Sequence, residues 1–161
     1  MYESETIHMV INGVQTEVEV KPYSTLMDVL RDQLGHIEVK EGCAVGDCGA
    51  CAIFFNGEAV CSCLVLACQA DGAEIITAAG LGTPGDLHPL QQAFMDYGGI
   101  QCGFCTPGLI ISSKALLDRT PKPTRQEVKV ALSGNFCRCT GYEQVIESVL
   151  GAAERMNGHG E

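Results

Sequence analysis

Apolar and polar residues alternate strictly near the start of the chain. Ile7 to Ile11 and Val14 to Val20 flank Asn12-Gly13, a pair that favours a two-residue type I′ hairpin because both central residues take positive φ there. Val14, Thr16, Val18 and Val20 alternate with Gln15, Glu17 and Glu19, as a half-buried strand requires. The period then changes. Thr25 offers an N-cap with Asp28 three residues on, Leu26, Val29, Leu30 and Leu34 follow at helical spacing, and Gly35 supplies the stop, which predicts a helix. Ala52 to Phe55 and Glu58 to Cys61 surround a second turn, Asn56-Gly57, and Glu74 to Ala78 reads as one more short strand. These elements predict a small mixed sheet with one helix across it.

Gly80 to His88 is a run of turn formers. It lacks the Lys-Ser/Thr of a phosphate loop and reads as a linker. Beyond it the strand signals vanish. Pro89 to Tyr97 reads as a helix ended by Gly98-Gly99, and Thr106-Pro107 as N-cap and first residue of a helix to about Arg119, before Pro121 and Pro123. Thr124 with Glu127 caps a helix through Leu132 that Gly134-Asn135 ends. Gly141 to Met156 carries Val145, Ile146, Val149, Leu150 and Ala153 on one face. The expected fold class is α+β, with one unit at residues 1–80 and a helical unit at 81–161.

A chain of 161 residues suits one mid-sized domain or two small ones. The hydrophobic share of 46% argues against a disordered scaffold. A formal charge of −10 argues against a nucleic-acid partner and against an anionic membrane surface. No apolar run approaches the roughly 18 residues of a membrane span, the longest candidates being Cys63 to Cys68 and Gly108 to Ile111. Met1 to Thr6 is acidic, without the basic and apolar regions of an export signal, so a reducing cytoplasm is the expected compartment. There, 10 cysteines beside no tryptophan point to metal binding or redox chemistry rather than disulfides.

The cysteines fall into two groups. Cys43, Cys48 and Cys51 form C-x4-C-x2-C, and Cys63 follows after eleven residues. This is the spacing of plant-type [2Fe–2S] proteins. Four thiolates must converge on a two-iron core, so the backbone wraps closely around it, and Gly42, Gly46 and Gly49 allow positive φ and close approach of amides to the sulfurs. Cys61 and Cys63 lie two apart, on the same side of an extended strand, so geometry leaves the fourth ligand open between them. Cys68 sits in an apolar stretch and reads as a buried small hydrophobe. The second group is Cys102-x2-Cys105 with Cys137-x-Cys139. Spacing alone admits a Cys₄ zinc site or a second cluster. Both pairs precede predicted helix starts, where free N–H groups favour negative charge. His8, His36, His88 and His159 form no Cys-x-His pairs of the Rieske kind and are expected at surface or packing positions.

Three stretches together identify a family: Gly42-Cys43-Ala44-Val45-Gly46-Asp47-Cys48-Gly49-Ala50-Cys51, Gln101-Cys102-Gly103-Phe104-Cys105-Thr106-Pro107-Gly108, and Asn135-Phe136-Cys137-Arg138-Cys139-Thr140-Gly141-Tyr142. In this order they resemble the small iron–sulfur subunits of molybdenum hydroxylases, the xanthine dehydrogenase and aldehyde oxidase family, over roughly residues 6 to 155. The resemblance implies a ferredoxin-like β-grasp domain followed by a four-helix bundle domain, each holding one [2Fe–2S] cluster. It implies Cys43, Cys48, Cys51 and Cys63 for the first cluster, nearer the flavin. It implies Cys102, Cys105, Cys137 and Cys139 for the second, nearer the molybdenum cofactor, with Gln101 and Cys139 beside the pterin. A large molybdopterin-binding subunit and a medium FAD-binding subunit are the implied partners, in a heterotrimer or a dimer of heterotrimers. Such a chain relays electrons and performs no substrate chemistry; a purine or other N-heterocycle is the expected substrate of the complex. The contrasting reading is a free-standing ferredoxin-like carrier. Cys61 and Cys68 have no role in the family pattern.

Overall fold

The computed structural model describes residues 3–158; Met1, Tyr2 and residues 159–161, His159 among them, lie outside the described residues. Strands β1 (Glu5–Ile11) and β2 (Val14–Val20) form the predicted hairpin. Asn12 and Gly13 have φ of 51° and 82°, as a type I′ turn demands. The Asn56-Gly57 turn between β3 (Ala52–Phe55) and β4 (Glu58–Cys61) repeats this, with φ of 49° and 85°. Strand β5 (Glu74–Ile76) pairs parallel with β1 and antiparallel with β3, giving a five-stranded mixed sheet in the order β2-β1-β5-β3-β4. The alternation in β2 is only partly used: Val20 is buried, but Val14, at the turn end of this edge strand, is exposed.

Helix α1 begins as one α turn, Leu26–Asp28, and continues as a π-helical segment, Val29–Gln33. Thr25 Oγ1 accepts from the Asp28 amide at 3.1 Å and Asp28 accepts from the Thr25 amide at 3.3 Å, the reciprocal cap that the spacing predicts. Leu26, Met27, Val29 and Leu30 cover one face of the sheet and meet Ile7, Met9, Ile53 and Ile75.

Four further helices follow: α2 (Pro89–Asp96), α3 (Thr106–Arg119), α4 (Arg125–Ala131) and α5 (Glu143–Gly158). Leu90, Phe94, Leu109, Ile111, Val128, Val145 and Val149 bury together between them. Ala52 and Phe54 of β3 belong to this second core, whereas Cys51 and Ile53 belong to the first. Successive residues of a strand point to opposite faces, so the apolar run Ala52-Ile53-Phe54 is a wall shared by both halves. The predicted linker is also tied down. Thr77 closes β5 two residues early, because its amide and hydroxyl hydrogen-bond to the Asn12 side chain at 2.9 and 3.0 Å, and Thr83 and Asp86 pair backbone to backbone. No helix among the described residues is long and apolar enough to cross a membrane.

Candidate metal centres

The loop from Gly42 to Cys51 carries three thiols of the first group. Backbone amides of Val45 and Cys48 approach the Cys43 sulfur at 3.5 and 3.4 Å and hold its thiol down to about 7. Burial pushes Cys48 up. Cys51 lies against both Cys61 and Cys63: hydrogen bonding from Cys61 brings Cys51 down to about 5, while Cys61 is pushed far up as the protonated partner. Burial and Cys51 push Cys63 up to about 11, although the Gly46 amide opposes this. The Cys61 thiol also points at the Gly46 carbonyl, 3.8 Å away. Sulfurs surrounded by donated amides suit an anionic cluster. The loop leaves room beside them, since a Cβ on Gly42 would lie 2.6 Å from the Cys48 sulfur. Cys68 is half-buried in a 3-10 turn, Ala67–Ala70, rather than buried as expected.

The second group gathers from two inter-helix loops around a cavity of about 260 Å³, lined by Cys102, Cys105, Cys137 and Cys139 and reached by Gly42 and Cys48. The thiols approach in pairs. Cys102 and Cys139 have sulfurs 3.6 Å apart, close to the roughly 3.8 Å between two thiolates on one tetrahedral metal with bonds near 2.3 Å. Cys105 pairs with Cys137; burial and that neighbour push Cys105 up to about 12. Cys137 falls below the ordinary thiol value, because the Thr140 hydroxyl and the Thr140 and Cys139 amides overcome the opposing effect of burial. Among the described residues no three His, Cys, Asp or Glu side chains close on a single ion. Two pairs of thiols facing one cavity suit the four-thiolate donor set that a two-iron core requires.

Cys105 precedes the start of α3, as expected, but it is itself the N-cap residue, one position before the predicted Thr106, and its side chain makes no cap hydrogen bond. Cys139 does not sit at a helix start: α5 begins only at Glu143, and Gly141 and Tyr142 intervene with φ of 62° and 69°. Gln101, Cys102 and Cys139 are exposed, and Phe104 and Phe136 beside them are 47% and 60% accessible. His88 caps α2, its Nδ1 accepting from the Leu90 amide at 3.1 Å. His36 packs against Glu38 at 3.0 Å, and His8 lies at the surface beside Glu17.

The two sites abut. The Phe136 amide donates to the Cys48 carbonyl at 2.9 Å, and the Asn135 side chain donates to the Gly49 carbonyl at 3.2 Å. Gly49 needs its φ of 69°, and a Cβ there would strike the Gly134 carbonyl. The start of α3 presses on the same loop, since a Cβ on Gly108 would collide with the Gly49 carbonyl. Gly108→Ala is therefore expected to cost about 1–3 kcal/mol of stability. Denaturant unfolding measures it, and an unchanged midpoint would mean that α3 retreats freely. Asn135, Thr140 and Tyr142 escape a spacing analysis of cysteines; their signal is the polar setting Asn-Phe-Cys-Arg-Cys-Thr-Gly-Tyr itself.

Residues 9–76 match the family described as 2Fe-2S iron-sulfur cluster binding domain, and residues 77–150 the one described as [2Fe-2S] binding domain. Fold and sites thus define an iron–sulfur protein with two [2Fe–2S] clusters. The nicotinate dehydrogenase small FeS subunit of Eubacterium barkeri is 48% identical over 93% of this chain and 96% of its own length. The xanthine dehydrogenase iron-sulfur-binding subunit of Escherichia coli O157:H7 is 45% identical over 92% of this chain and 94% of its own. Quinoline 2-oxidoreductase from Pseudomonas putida 86 superposes with a TM-score of 0.92 at 40% identity, covering 99% of each chain. The aldehyde oxidoreductase from Desulfovibrio desulfuricans ATCC 27774 superposes at 0.91 and 43% identity over 96% of this chain, which spans 17% of that longer one. The chain belongs to the small iron–sulfur subunits of the molybdenum hydroxylase family of xanthine dehydrogenases and aldehyde oxidases, and is a non-catalytic subunit of such an oxidoreductase.

Proposed function

We propose that this subunit relays electrons from a molybdopterin-binding large subunit towards an FAD-binding medium subunit, in a cytoplasmic heterotrimer or a dimer of heterotrimers. Cys43, Cys48, Cys51 and Cys63 hold the first cluster, within residues 1–80. Cys102, Cys105, Cys137 and Cys139 hold the second, within a four-helix bundle unit of residues 81–161. When bound, each [2Fe–2S] cluster takes up and releases one electron, so that a pair passes in single steps. The observation that carries this reading is the 2.9 Å hydrogen bond from Phe136 to Cys48, which ties together the two loops that bear the cysteines. A free-standing carrier needs one exposed site and not an adjoining second one.

This chain's residues set the spacing and the exits. Cys102 and Cys139 lie at the surface beside Gln101, Phe104 and Phe136, and we assign this face to the large subunit, with Gln101 and Cys139 against the pterin. Polar Gln101 between apolar neighbours suits a cofactor that buries a hydrogen-bonding edge. The nicotinate and quinoline enzymes among the relatives support an N-heterocycle, a purine included, as the substrate.

The purified chain is expected to carry about four irons and about four acid-labile sulfides and to show two paramagnetic signals on reduction. It should accept electrons from a chemical reductant and oxidise no substrate by itself. Stoichiometric zinc, about two irons per chain, or hydroxylase activity without a molybdenum protein would overturn the reading.

A further inference from the structure

We propose that Thr140 tunes the second cluster, its hydroxyl donating a hydrogen bond to the Cys137 sulfur and so raising the cluster's reduction potential; this rests on the reading of Cys137 as a ligand. Thr140 Oγ1 lies 3.1 Å from Cys137 Sγ, and both residues are buried. In isolation either group could donate. The surroundings decide between them. The Tyr142 amide donates to Thr140 Oγ1 at 3.2 Å and occupies a lone pair, and a ligating sulfur is a thiolate without a proton. The only proton left for the contact is that of Thr140.

Tyr142 also fixes the geometry. Its hydroxyl accepts the Cys137 amide at 2.7 Å and donates to the Asn135 carbonyl at 3.0 Å. The Cys137 amide is thereby engaged by Tyr142, and the Thr140 hydroxyl is the side-chain donor to this thiolate beside the Thr140 and Cys139 amides. Tyr142 adopts φ of 69°, a conformation that L side chains rarely take, and these hydrogen bonds hold it there. Reduction adds one negative charge to the cluster and its thiolates. A donor aimed at one thiolate favours that more negative state, in a site where water does not compete. Thr140 thus acts through Cys137 and makes the centre facing the large subunit the readier electron acceptor.

The test is a redox titration of the assembled complex, followed by the paramagnetic signal of each cluster, in wild type, Thr140→Val and Thr140→Ser. Thr140→Val keeps the shape and removes the hydroxyl, and Thr140→Ser restores it. Reduction of the second cluster is expected to become about tenfold less favourable in Thr140→Val, a fall of about 59 mV for a one-electron couple. Thr140→Ser should stay near wild type, and the first cluster should not move. Exchange into D2O should remove one proton coupling more from the second signal in wild type and Thr140→Ser than in Thr140→Val, which keeps only exchangeable amide protons near Cys137. The proposal fails if Thr140→Val titrates as wild type, if both clusters shift together, or if Thr140→Ser falls as far as Thr140→Val. Loss of the cluster in Thr140→Val, with or without its loss in Thr140→Ser, also overturns it, because the hydroxyl would then hold the loop rather than tune the potential. A wild-type complex with no second signal refutes instead the assignment of Cys137 as a ligand.

Discussion

Cys102→Ser in the assembled complex is expected to leave the first cluster oxidised when substrate is added, with the flavin reduced no faster than without substrate. The thiols of Cys102 and Cys139 form one of the two facing pairs, and both are exposed, so the change removes a ligand on the side assigned to the large subunit. Cys48→Ser should act differently. Substrate electrons still reach the second cluster, and transfer stalls beyond it. Freeze-quench spectroscopy follows each centre separately on a common time axis. The order is wrong if Cys48→Ser leaves the second cluster oxidised while Cys102→Ser permits rapid reduction of the first. Weakened assembly of the Cys102→Ser complex is a further expected outcome, because Gln101, Phe104 and Phe136 surround that site on the same face.

The second large effect separates Cys63 from Cys61. Cys63→Ser is expected to lose or distort the first cluster, measured as a fall from about four to about two irons per chain with loss of one paramagnetic signal. Cys61→Ser and Cys68→Ser should keep both clusters. Electrostatics and geometry favour this division: the Gly46 amide draws the Cys63 thiol down against the larger opposing effect of burial, whereas the Cys61 thiol is turned towards the Gly46 carbonyl. An amide N–H stabilises a thiolate, and a carbonyl oxygen repels one. If Cys61→Ser is the damaging change, Cys61 is the fourth ligand and Cys63 the neighbouring thiol.

Local rules were legible in the sequence wherever the physics is local. Both Asn-Gly turns follow from two adjacent positive φ angles, which only a few residue types tolerate. The caps at Thr25 and Thr124 follow from a side chain reaching an amide three residues on. The first cysteine loop was legible for the same reason: Cys43, Cys48 and Cys51 lie within nine residues, and a core that needs converging thiolates dictates glycines among them.

Other features rest on groups far apart in the chain. Spacing could not separate Cys61 from Cys63, because it places both on one side of an extended strand, whereas β4 ends at Cys61 and Cys63 lies in a 3-10 turn, Ser62–Leu64. Nor could spacing show that Cys139 precedes a left-handed turn rather than a helix start, because Tyr142 is held there by hydrogen bonds to Cys137 and Asn135. The linker between two units hid a shared wall, β3, whose alternate residues enter different cores. One of the contacts that join the two sites spans 86 residues, from Asn135 to Gly49. Hydrophobic period and motif spacing report what a residue needs from its near neighbours. Which distant carbonyl meets which amide is decided only when the helices close on the second face of β3.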